Sequence, residues 1–323
     1  MKTALILLVA VIVITIGAVQ YLAAKREREA AAAYPPQGQL LDVDGVTVHA
    51  EQVGTGPDVV LLHGASGNTR DWTFAFADRL KDRYRVTMLD RPGLGWTEHV
   101  APHHARAWSS AHANPTEQAQ LLKAATDRLG VDTPIVVGHS FGGIVALAWA
   151  LEFDDLAGIV SVAGVANPWP GSLDWTYNLN GSAAGGGLAV PLFSAFVPEP
   201  YVKNIVANIF APQTAPEGYL DHVGPALTLR RASMRANARQ VNWLRPHVVE
   251  MSARYGQINV PVEIVHGDAD SIVPLEVHSA KLPKQIGGAN LRILPGVGHM
   301  PQHSHADEVI AAIDRAAQRA GLR

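Results

Sequence analysis

The chain of 323 residues contains no cysteine. That absence excludes disulfide bonds, thiolate metal ligands and a cysteine nucleophile. Charged residues are also scarce, at 17% of the chain, and the formal net charge is only -3. The sequence therefore lacks the basic character of proteins that bind nucleic acid. Hydrophobic residues make up 48%, which is typical of a globular chain with a sizeable core and not of a disordered one.

Charge is missing altogether from residues 4–24, and this segment predicts a membrane-spanning helix. As a helix it would extend about 31 Å, close to the thickness of the hydrocarbon layer of a bilayer. The alternative is a cleaved signal peptide, which would give a secreted or periplasmic protein. Its apolar region is normally shorter and is followed at once by small residues, whereas the charged segment 25–29 follows here. We expect a single-pass anchor at residues 1–25, on an unassigned side of the membrane, and a linker at residues 26–39.

A short motif, G-H-S-F-G at residues 138–142, lies between an apolar run at 135–137 and an apolar helical pattern. G-x-S-x-G indicates a nucleophile when it occupies such a strand–turn–helix context. A serine nucleophile must project from a tight turn, and glycines two positions away remove side chains that would collide there. The next backbone N–H, that of Phe141, would lie at a helix N-terminus, where it can donate to an oxyanion. The motif therefore predicts Ser140 as a nucleophile.

The segments on either side of this motif alternate between short β runs and helical patterns, as in a parallel α/β sheet. Residues 41–49 alternate in polarity around Asp44-Gly45, which predicts a β-hairpin. Residues 59–62 are apolar throughout, as expected for a strand buried on both faces. A glycine-bearing loop follows that strand, and by position the N–H of Ala65 is a second candidate oxyanion donor. An ordinary strand–helix loop is the alternative interpretation.

Two loops near the end of the chain supply a candidate acid and a candidate base. Asp268 and Asp270 follow the predicted strand at 260–265. We predict Asp270 as the acid because it lies beyond the turn, which Asp268 is better placed to cap. His299 follows the last predicted strand on a glycine loop. A histidine of this kind takes the proton of Ser140 during attack, and the carboxylate fixes the histidine tautomer.

The alternation of strands and helices is interrupted between residues 166 and 256, where prolines and short helical pieces alternate. A structureless insertion of this length is uncommon in a compact domain. We therefore predict a helical cap over the carboxyl edge of the sheet, where open α/β sheets bind ligands. Residues 40–165 and 257–323 would form the core. The aromatic residues of the cap fit a pocket or the interior of the cap equally well, so none is assigned to substrate.

The 14 histidines raise the question of a metal site. His299, His303 and His305 have a spacing that a metal could use, but no glutamate lies between the first two as in H-E-x-x-H. We expect no metal and no cofactor. Asp90 and Arg91 follow another predicted strand, and we expect them to pair and brace their loop rather than to act in catalysis.

Five segments together resemble the α/β-hydrolase superfamily over about residues 40–320: His63-Gly64, Asp90-Arg91-Pro92-Gly93, G-H-S-F-G-G at 138–143, Gly267-Asp268-Ala269-Asp270 and Gly298-His299. The resemblance implies a mostly parallel twisted sheet flanked by helices and a cap like those of esterases, haloperoxidases and C–C hydrolases. It also implies Ser140 as nucleophile, Asp270 as acid, His299 as base, and the N–H groups of Ala65 and Phe141 as oxyanion donors. Dehalogenases and epoxide hydrolases of this group carry aspartate as nucleophile, so Ser140 argues against both.

We therefore predict a serine hydrolase that cleaves a carboxylic ester through an acyl-enzyme on Ser140. The same residues could instead serve a cofactor-free perhydrolase or haloperoxidase, or a C–C bond hydrolase. A third alternative is a ligand receptor with slow turnover. The expected partners are a small molecule, most simply an acyl ester, and a membrane bound through the N-terminal helix.

Overall fold

The computed structural model describes residues 1–322, and an eight-stranded sheet runs through its centre. The strands are β1 (Gln39–Val43), β2 (Val46–Val53), β3 (Asp58–Leu62), β4 (Arg85–Leu89), β5 (Ile135–His139), β6 (Gly158–Val162), β7 (Val262–Gly267) and β8 (Asn290–Leu294). Their order across the sheet is β1-β2-β4-β3-β5-β6-β7-β8. The six strands from β3 onward pair in parallel, whereas β2 pairs antiparallel with both of its neighbours. The predicted fold class is confirmed.

The helices flank this sheet and fill the long segment between β6 and β7. They are α1 (Lys2–Ala33), α2 (Arg70–Thr73), α3 (Pro102–Ala105), α4 (Pro115–Arg128), α5 (Phe141–Glu152), α6 (Trp175–Gly181), α7 (Ala183–Phe196), α8 (Glu199–Phe210), α9 (Tyr219–Val223), α10 (Pro225–Thr228), α11 (Arg231–Asn242), α12 (Leu244–Ser252), α13 (Leu282–Gln285), α14 (Pro301–Ser304) and α15 (Ala306–Arg319). Short 3-10 turns lie at Ala77–Arg79, Tyr255–Gln257 and Ser279–Lys281.

The β1–β2 hairpin forms where the sequence predicts it. Asp44 and Gly45 both have positive φ, at 52° and 85°, the combination that a two-residue type I′ turn requires. The carboxylate of Asp42 accepts a hydrogen bond from the Gly45 N–H at 2.7 Å. The antiparallel edge of the sheet therefore begins from a locally encoded turn.

The parallel strands are buried because helices cover both faces of the sheet. In β3, Val60 and Leu62 belong to the core on one face, and Val59 and Leu61 to the core on the other. All five residues of β3 are buried, as the apolar run at 59–62 predicts. Each such side chain contributes roughly 1.5–3 kcal/mol relative to exposure. This packing fixes the carboxyl ends of β3, β5 and β7, from which the candidate site is built.

Helices α6 to α12 lie in the segment 166–256 that the sequence predicts as a cap, and two hydrogen bonds from the loop after β3 hold this segment. The N–H of Ser66 donates to Asn237 Oδ1 at 2.7 Å. The amide of Asn68 donates to the carbonyl of Val223 at 3.0 Å. Within the cap, α11 packs against α6 and α7. The loop that follows β3 is therefore held from above by the cap.

Most of the linker expected at residues 26–39 is helical, because α1 continues without interruption to Ala33. Ala23 and Ala30 are buried, and Arg231 of the cap forms an ion pair with Glu27 at 2.7 Å. The alanine-rich end also has high helix propensity. Only the short segment before β1 is non-helical. Among residues 1–322, α1 is the one helix that is long and apolar enough to span a membrane, a property shared by signal sequences.

Candidate active site

Ser140 occupies a sharp turn between β5 and α5. Its backbone has φ 53° and ψ -118°, a conformation that side-chain-bearing residues rarely adopt. Three hydrogen bonds of 3.0 Å hold it: the Ser140 N–H donates to Val162, and the Ser140 carbonyl accepts from Gly143 and Val165. Such strain costs on the order of 1–3 kcal/mol and persists only where the surroundings impose it.

Two glycines of the motif are required by close backbone approach. A Cβ on Gly138 would lie 2.1 Å from the carbonyl oxygen of Gly142. A Cβ on Gly142 would lie 2.3 Å from the carbonyl oxygen of Leu62. The spacing of G-x-S-x-G thus has the steric origin that the sequence suggests.

Two backbone donors lie beside Ser140. The N–H groups of Ala65 and Phe141 have no hydrogen-bond acceptor within residues 1–322. Phe141 begins α5, so the helix dipole adds to its donor strength. Ala65 follows Gly64, where an added Cβ would lie 3.0 Å from Cβ of Ser140. The loop after β3 and the start of α5 therefore both border the candidate nucleophile.

Arg91 connects these two donor segments. Its fully buried guanidinium donates to the carbonyls of His63 and Gly64 at 3.0 and 3.1 Å. The same group lies 4.1 Å from the centre of the Phe141 ring, a favourable cation–π distance. Burial lowers the pKa of Arg91 to about 9. One side chain, which the sequence suggested only as a loop brace, thus supports both candidate oxyanion donors.

The expected pairing of Asp90 with Arg91 is wrong. Asp90 Oδ2 instead accepts hydrogen bonds from His49 Nδ1 and the Trp96 N–H, each at 2.7 Å. Burial favours the neutral acid, but the hydrogen bond and charge of His49 outweigh it and lower the pKa of Asp90. The two adjacent side chains point into different surroundings, which sequence adjacency cannot reveal.

Asp270 and His299 meet at the carboxyl end of the sheet. Asp270 Oδ2 lies 2.7 Å from His299 Nδ1. Its other oxygen, Oδ1, accepts from the N–H groups of Ile272 and Val273, both at 2.9 Å. Burial favours the neutral acid, but hydrogen bonds from His266 and His299 hold the pKa of Asp270 well below its usual range. The carboxylate therefore fixes the Nδ1–H tautomer of His299 and leaves Nε2 free to act as a base.

Asp268, the other candidate acid, does not reach His299. Its carboxylate accepts the Gly296 N–H at 2.6 Å and so caps the turn that precedes the histidine. A residue that sequence reasoning missed, His266, contacts the same carboxylate oxygen of Asp270 as His299 does. Its Nε2 is 3.1 Å from Asp270 Oδ2, and its Nδ1 is 2.6 Å from Ser279 Oγ. The available signal was a histidine directly after the predicted strand at 260–265, because a polar side chain buried there needs partners.

His139, the variable residue before the serine, was also missed. Its Nε2 donates to the backbone carbonyl of His299 at 2.9 Å, and the two rings lie 4.9 Å apart. Burial and the charge of His299 lower the pKa of His139 to about 3, so this ring stays neutral. Ser140 Oγ itself forms no hydrogen bond with residues 1–322. The contact between the turn and the His299 loop is therefore made by the neighbour of the serine.

The cap holds the loop that carries His299. The Gln213 side chain accepts from the Gly298 N–H and donates to the Gly296 carbonyl, both at 2.8 Å. A Cβ on Gly298 would lie 2.1 Å from the carbonyl oxygen of Ala211, so only glycine fits under this part of the cap. Ser140 is 7% exposed and His299 4%, so both residues are buried at this edge of the sheet.

The remaining histidines near His299 do not join it. His303 Nε2 lies 2.8 Å from Asp71 Oδ1, and the Tyr219 hydroxyl donates to the same oxygen at 2.7 Å. His305 is exposed and contacts Ser304. Within residues 1–322, no cluster of three or more His, Asp or Glu side chains is arranged to hold a metal ion.

A model of the alpha/beta hydrolase family matches residues 59–312 of the chain. This interval contains the Ser140 turn and both loops that carry Asp270 and His299. Most of the sheet and the whole cap segment also fall within it.

Comparisons with individual proteins give the same fold and several activities. A 2-hydroxy-6-oxo-6-phenylhexa-2,4-dienoate hydrolase from Comamonas testosteroni is 26% identical over 270 residues, which cover 83% of this chain and 90% of the relative. An alpha/beta hydrolase fold protein from Burkholderia ambifaria is 26% identical, with a TM-score of 0.68 and coverage of 86% and 99%. An esterase from Exiguobacterium antarcticum, at 18% identity, has a TM-score of 0.64 and coverage of 86% and 98%, which shows the shared fold.

Proposed function

The chain belongs to the alpha/beta hydrolase family, and we propose that it cleaves a carboxylic ester through an acyl-enzyme on Ser140. The observation that carries this proposal is the 2.7 Å hydrogen bond between Asp270 and His299, made at the sheet edge that bears the strained Ser140 turn. A histidine oriented by a buried carboxylate is the base that a serine hydroxyl needs.

In the proposed reaction, Ser140 Oγ bonds to the ester carbonyl carbon while its proton moves to His299 Nε2. The carbonyl oxygen becomes an oxyanion, which the N–H groups of Ala65 and Phe141 stabilise. The imidazolium of His299 then protonates the leaving alcohol as the C–O bond breaks. Water attacks the acyl-enzyme by the same proton transfers and releases the acid. Asp270 stays ionised throughout and stabilises the imidazolium.

A second candidate is hydrolysis of a carbon–carbon bond by the same residues. The specific observation that favours it is the similarity to a 2-hydroxy-6-oxo-6-phenylhexa-2,4-dienoate hydrolase over 83% of the chain. A substrate of that class carries a carboxylate and a ketone in place of an ester. Parallel assays on p-nitrophenyl acyl esters and on such keto-dienoates decide between the two reactions, because the preferred class has the higher kcat/KM.

The Ser140→Ala variant tests the catalytic assignment directly. We expect kcat on p-nitrophenyl esters to fall by about 10⁶-fold, since triad members act as a unit. A fluorophosphonate probe should label the wild-type protein and fail to label the variant. Ser194→Ala is a matched control, because Ser194 is a buried serine in the cap whose hydroxyl has no hydrogen-bond partner within residues 1–322. Wild-type turnover in Ser140→Ala, or equal loss in Ser194→Ala, contradicts the proposal.

We also propose that residues 1–25 are retained as a membrane anchor, with a core at 40–165 and 257–323 and a cap at 166–256. Support comes from the docking of α1 on the cap through Glu27 and Arg231, which a cleaved signal peptide would not need. The intact mass of the protein in washed membranes tests retention. A soluble product that lacks the first residues contradicts it and indicates a secreted or periplasmic form.

A further inference from the structure

A groove of about 650 Å³ lies between α1, α7 and α11, away from Ser140 and His299. We call it the α1 groove and define it by six of its lining residues: Ile16, Val19, Trp108, Leu188, Leu192 and Arg235. One wall belongs to α1 and the other to the cap. The groove is therefore present only when α1 is attached to the fold.

The walls of the α1 groove are apolar and exposed. Leu188 and Leu192 on α7 are 58% and 49% exposed, and Trp108 beside them is 63% exposed. Trp108 is held against α7, since a Cβ on Gly187 would lie 2.7 Å from its indole ring. Contiguous exposed apolar side chains of this kind mark a binding or membrane surface. Tryptophan in particular is enriched where a protein meets the membrane–water boundary.

The position of α1 relates this surface to a bilayer. Helix α1 has 32 residues and extends about 48 Å, so part of it must lie outside a hydrocarbon layer of about 30 Å. Its end is fixed to the cap by the Glu27–Arg231 ion pair and by Arg26, which donates to the Val197 carbonyl at 3.0 Å. Residues 16 and 19 belong to the uncharged segment 4–24. A bilayer that holds this segment therefore adjoins the wall of the groove that α1 forms.

The α11 wall of the groove carries two arginines, Arg231 and Arg235. Arg231 is neutralised by Glu27, which binds it through both carboxylate oxygens at 2.8 and 2.7 Å. Arg235, one helical turn further on, forms no ion pair within residues 1–322 and donates only to the Gly186 carbonyl, at 3.3 Å. Its buried Nε has no hydrogen-bond partner there. An arginine in this state favours an anion, ideally a phosphate.

We propose that the α1 groove binds an anionic phospholipid of the bilayer that holds α1, with an acyl chain between α1 and α7 and the phosphate at Arg235. The cap is thereby seated in the membrane surface. The occupant is a lipid of the bilayer and not a free amphiphile, because one wall is a helix of membrane-spanning length. This inference rests on the proposed retention of α1.

The absence of native cysteine allows a direct depth measurement on the full chain. Leu188→Cys and Leu192→Cys, each carrying a nitroxide, are reconstituted in vesicles of phosphatidylcholine and phosphatidylglycerol. Collisions with oxygen, which enters hydrocarbon, are compared with collisions with a water-soluble nickel chelate. We expect the oxygen-to-nickel ratio at both positions to exceed by several-fold that of Val249→Cys, an exposed apolar position on α12 outside the groove. Equal ratios at all three positions overturn the seating of the cap.

The headgroup is tested with spin-labelled phosphatidylglycerol and phosphatidylcholine at equal mole fraction around the reconstituted protein. We expect wild type to prefer phosphatidylglycerol and Arg235→Gln to lose about fivefold of that preference, the effect of one arginine at an anionic surface. Arg245→Gln, an exposed cap arginine outside the groove, should retain it. No preference in wild type, or equal losses in both variants, overturns the anionic site.

The intact mass of the reconstituted chain separates this inference from the retention of α1. A chain that lacks α1 overturns both, because the groove loses a wall. A chain that keeps α1 but has water-exposed labels at Leu188 and Leu192 overturns the inference alone. Fluorophosphonate labelling of Ser140 reports on the hydrolase proposal independently of either result.

Discussion

Three buried aspartates, Asp71, Asp90 and Asp270, each lie within hydrogen-bond distance of a histidine. Of the Asp71 and Asp270 pairs, only that of Asp270 is joined to the turn that carries Ser140. Asp270 lies 2.7 Å from His299, and Asp71 lies 2.8 Å from His303. In both pairs burial favours the neutral acid, yet the pKa of each aspartate lies well below its usual range, because His266 and His299 stabilise the Asp270 carboxylate and His303 stabilises that of Asp71. By distance, burial and charge the pairs are nearly equivalent.

Their surroundings differ. The carbonyl of His299 bonds to His139, the neighbour of Ser140, and His299 keeps Nε2 free. In the other pair, Nε2 of His303 contacts Asp71, and the centre of the His303 ring lies 4.9 Å from that of Tyr219 in the cap. The second pair therefore joins the cap to the core. A histidine–aspartate pair is therefore not sufficient evidence of catalysis. Its role depends on which ring nitrogen contacts the aspartate and on the groups around the other ring nitrogen.

The largest effect should come from Asp270→Asn. An amide cannot stabilise the imidazolium and permits the wrong histidine tautomer, so we expect kcat on p-nitrophenyl esters to fall by about 10⁴-fold. The unfolding free energy should change far less than the activation free energy. Steady-state kinetics with denaturant titration check both quantities. A fall of less than tenfold would remove the distinction between the two pairs.

Asp71→Asn makes the same chemical change in the other pair. We expect kcat to stay within about tenfold of wild type, while the unfolding free energy falls by about 3 kcal/mol because a buried pair is broken. Urea denaturation and the same ester assay measure the two effects. A loss of kcat as large as that of Asp270→Asn would show that the second pair also takes part in catalysis.

Acid titration should distinguish the buried carboxylates of Asp270 and Asp71 from the buried imidazole of His63. Burial lowers the pKa of His63 to about 4, below its unfolded value near 6.5. Between these values the unfolded chain binds more protons, so stability falls as pH falls, by about 2 kcal/mol at pH 5 for this residue. The carboxylates of Asp270 and Asp71, whose pKa values are lowered, protonate only at more acidic pH. The stability that they contribute is lost in that range.

The measurement is the unfolding free energy from pH 7 to pH 3 for wild type, His63→Asn and Asp71→Asn. Between pH 7 and pH 5, the unfolding free energy of His63→Asn should fall by about 2 kcal/mol less than that of wild type. The curve of Asp71→Asn should differ from that of wild type only at more acidic pH. Parallel curves for all three proteins would contradict the assigned protonation states.

Local patterns predicted the parts of the fold that local physics determines. The hairpin at Asp44-Gly45 forms because both residues tolerate positive φ. The buried strand at 59–62 and the glycines around Ser140 follow from burial on two faces and from close backbone approach. Loop order also indicated that Asp270 and Asp268 have different partners, and the structure joins Asp270 to His299. The catalytic roles of these residues stay predictions.

The sequence could not reveal contacts between distant segments. The uncharged segment 4–24 predicted a spanning helix, but the docking of residues 26–33 depends on Arg231 in the cap. Adjacency suggested that Asp90 and Arg91 pair, whereas burial places them in separate networks. The contacts of His266 and His139 exist only in the folded structure, because the hydrogen-bond partners of a buried polar side chain can lie far away in the sequence.

The turn at Ser140 has a consequence for how this chain evolves. A residue at φ 53° and ψ -118° is strained unless it is glycine. Replacement of Ser140 by glycine would relieve that strain, so the inactive protein is expected to fold more favourably than the active one. Under the proposed role of Ser140, mutational drift and folding stability favour the loss of the hydroxyl at this position, and selection for turnover opposes that loss.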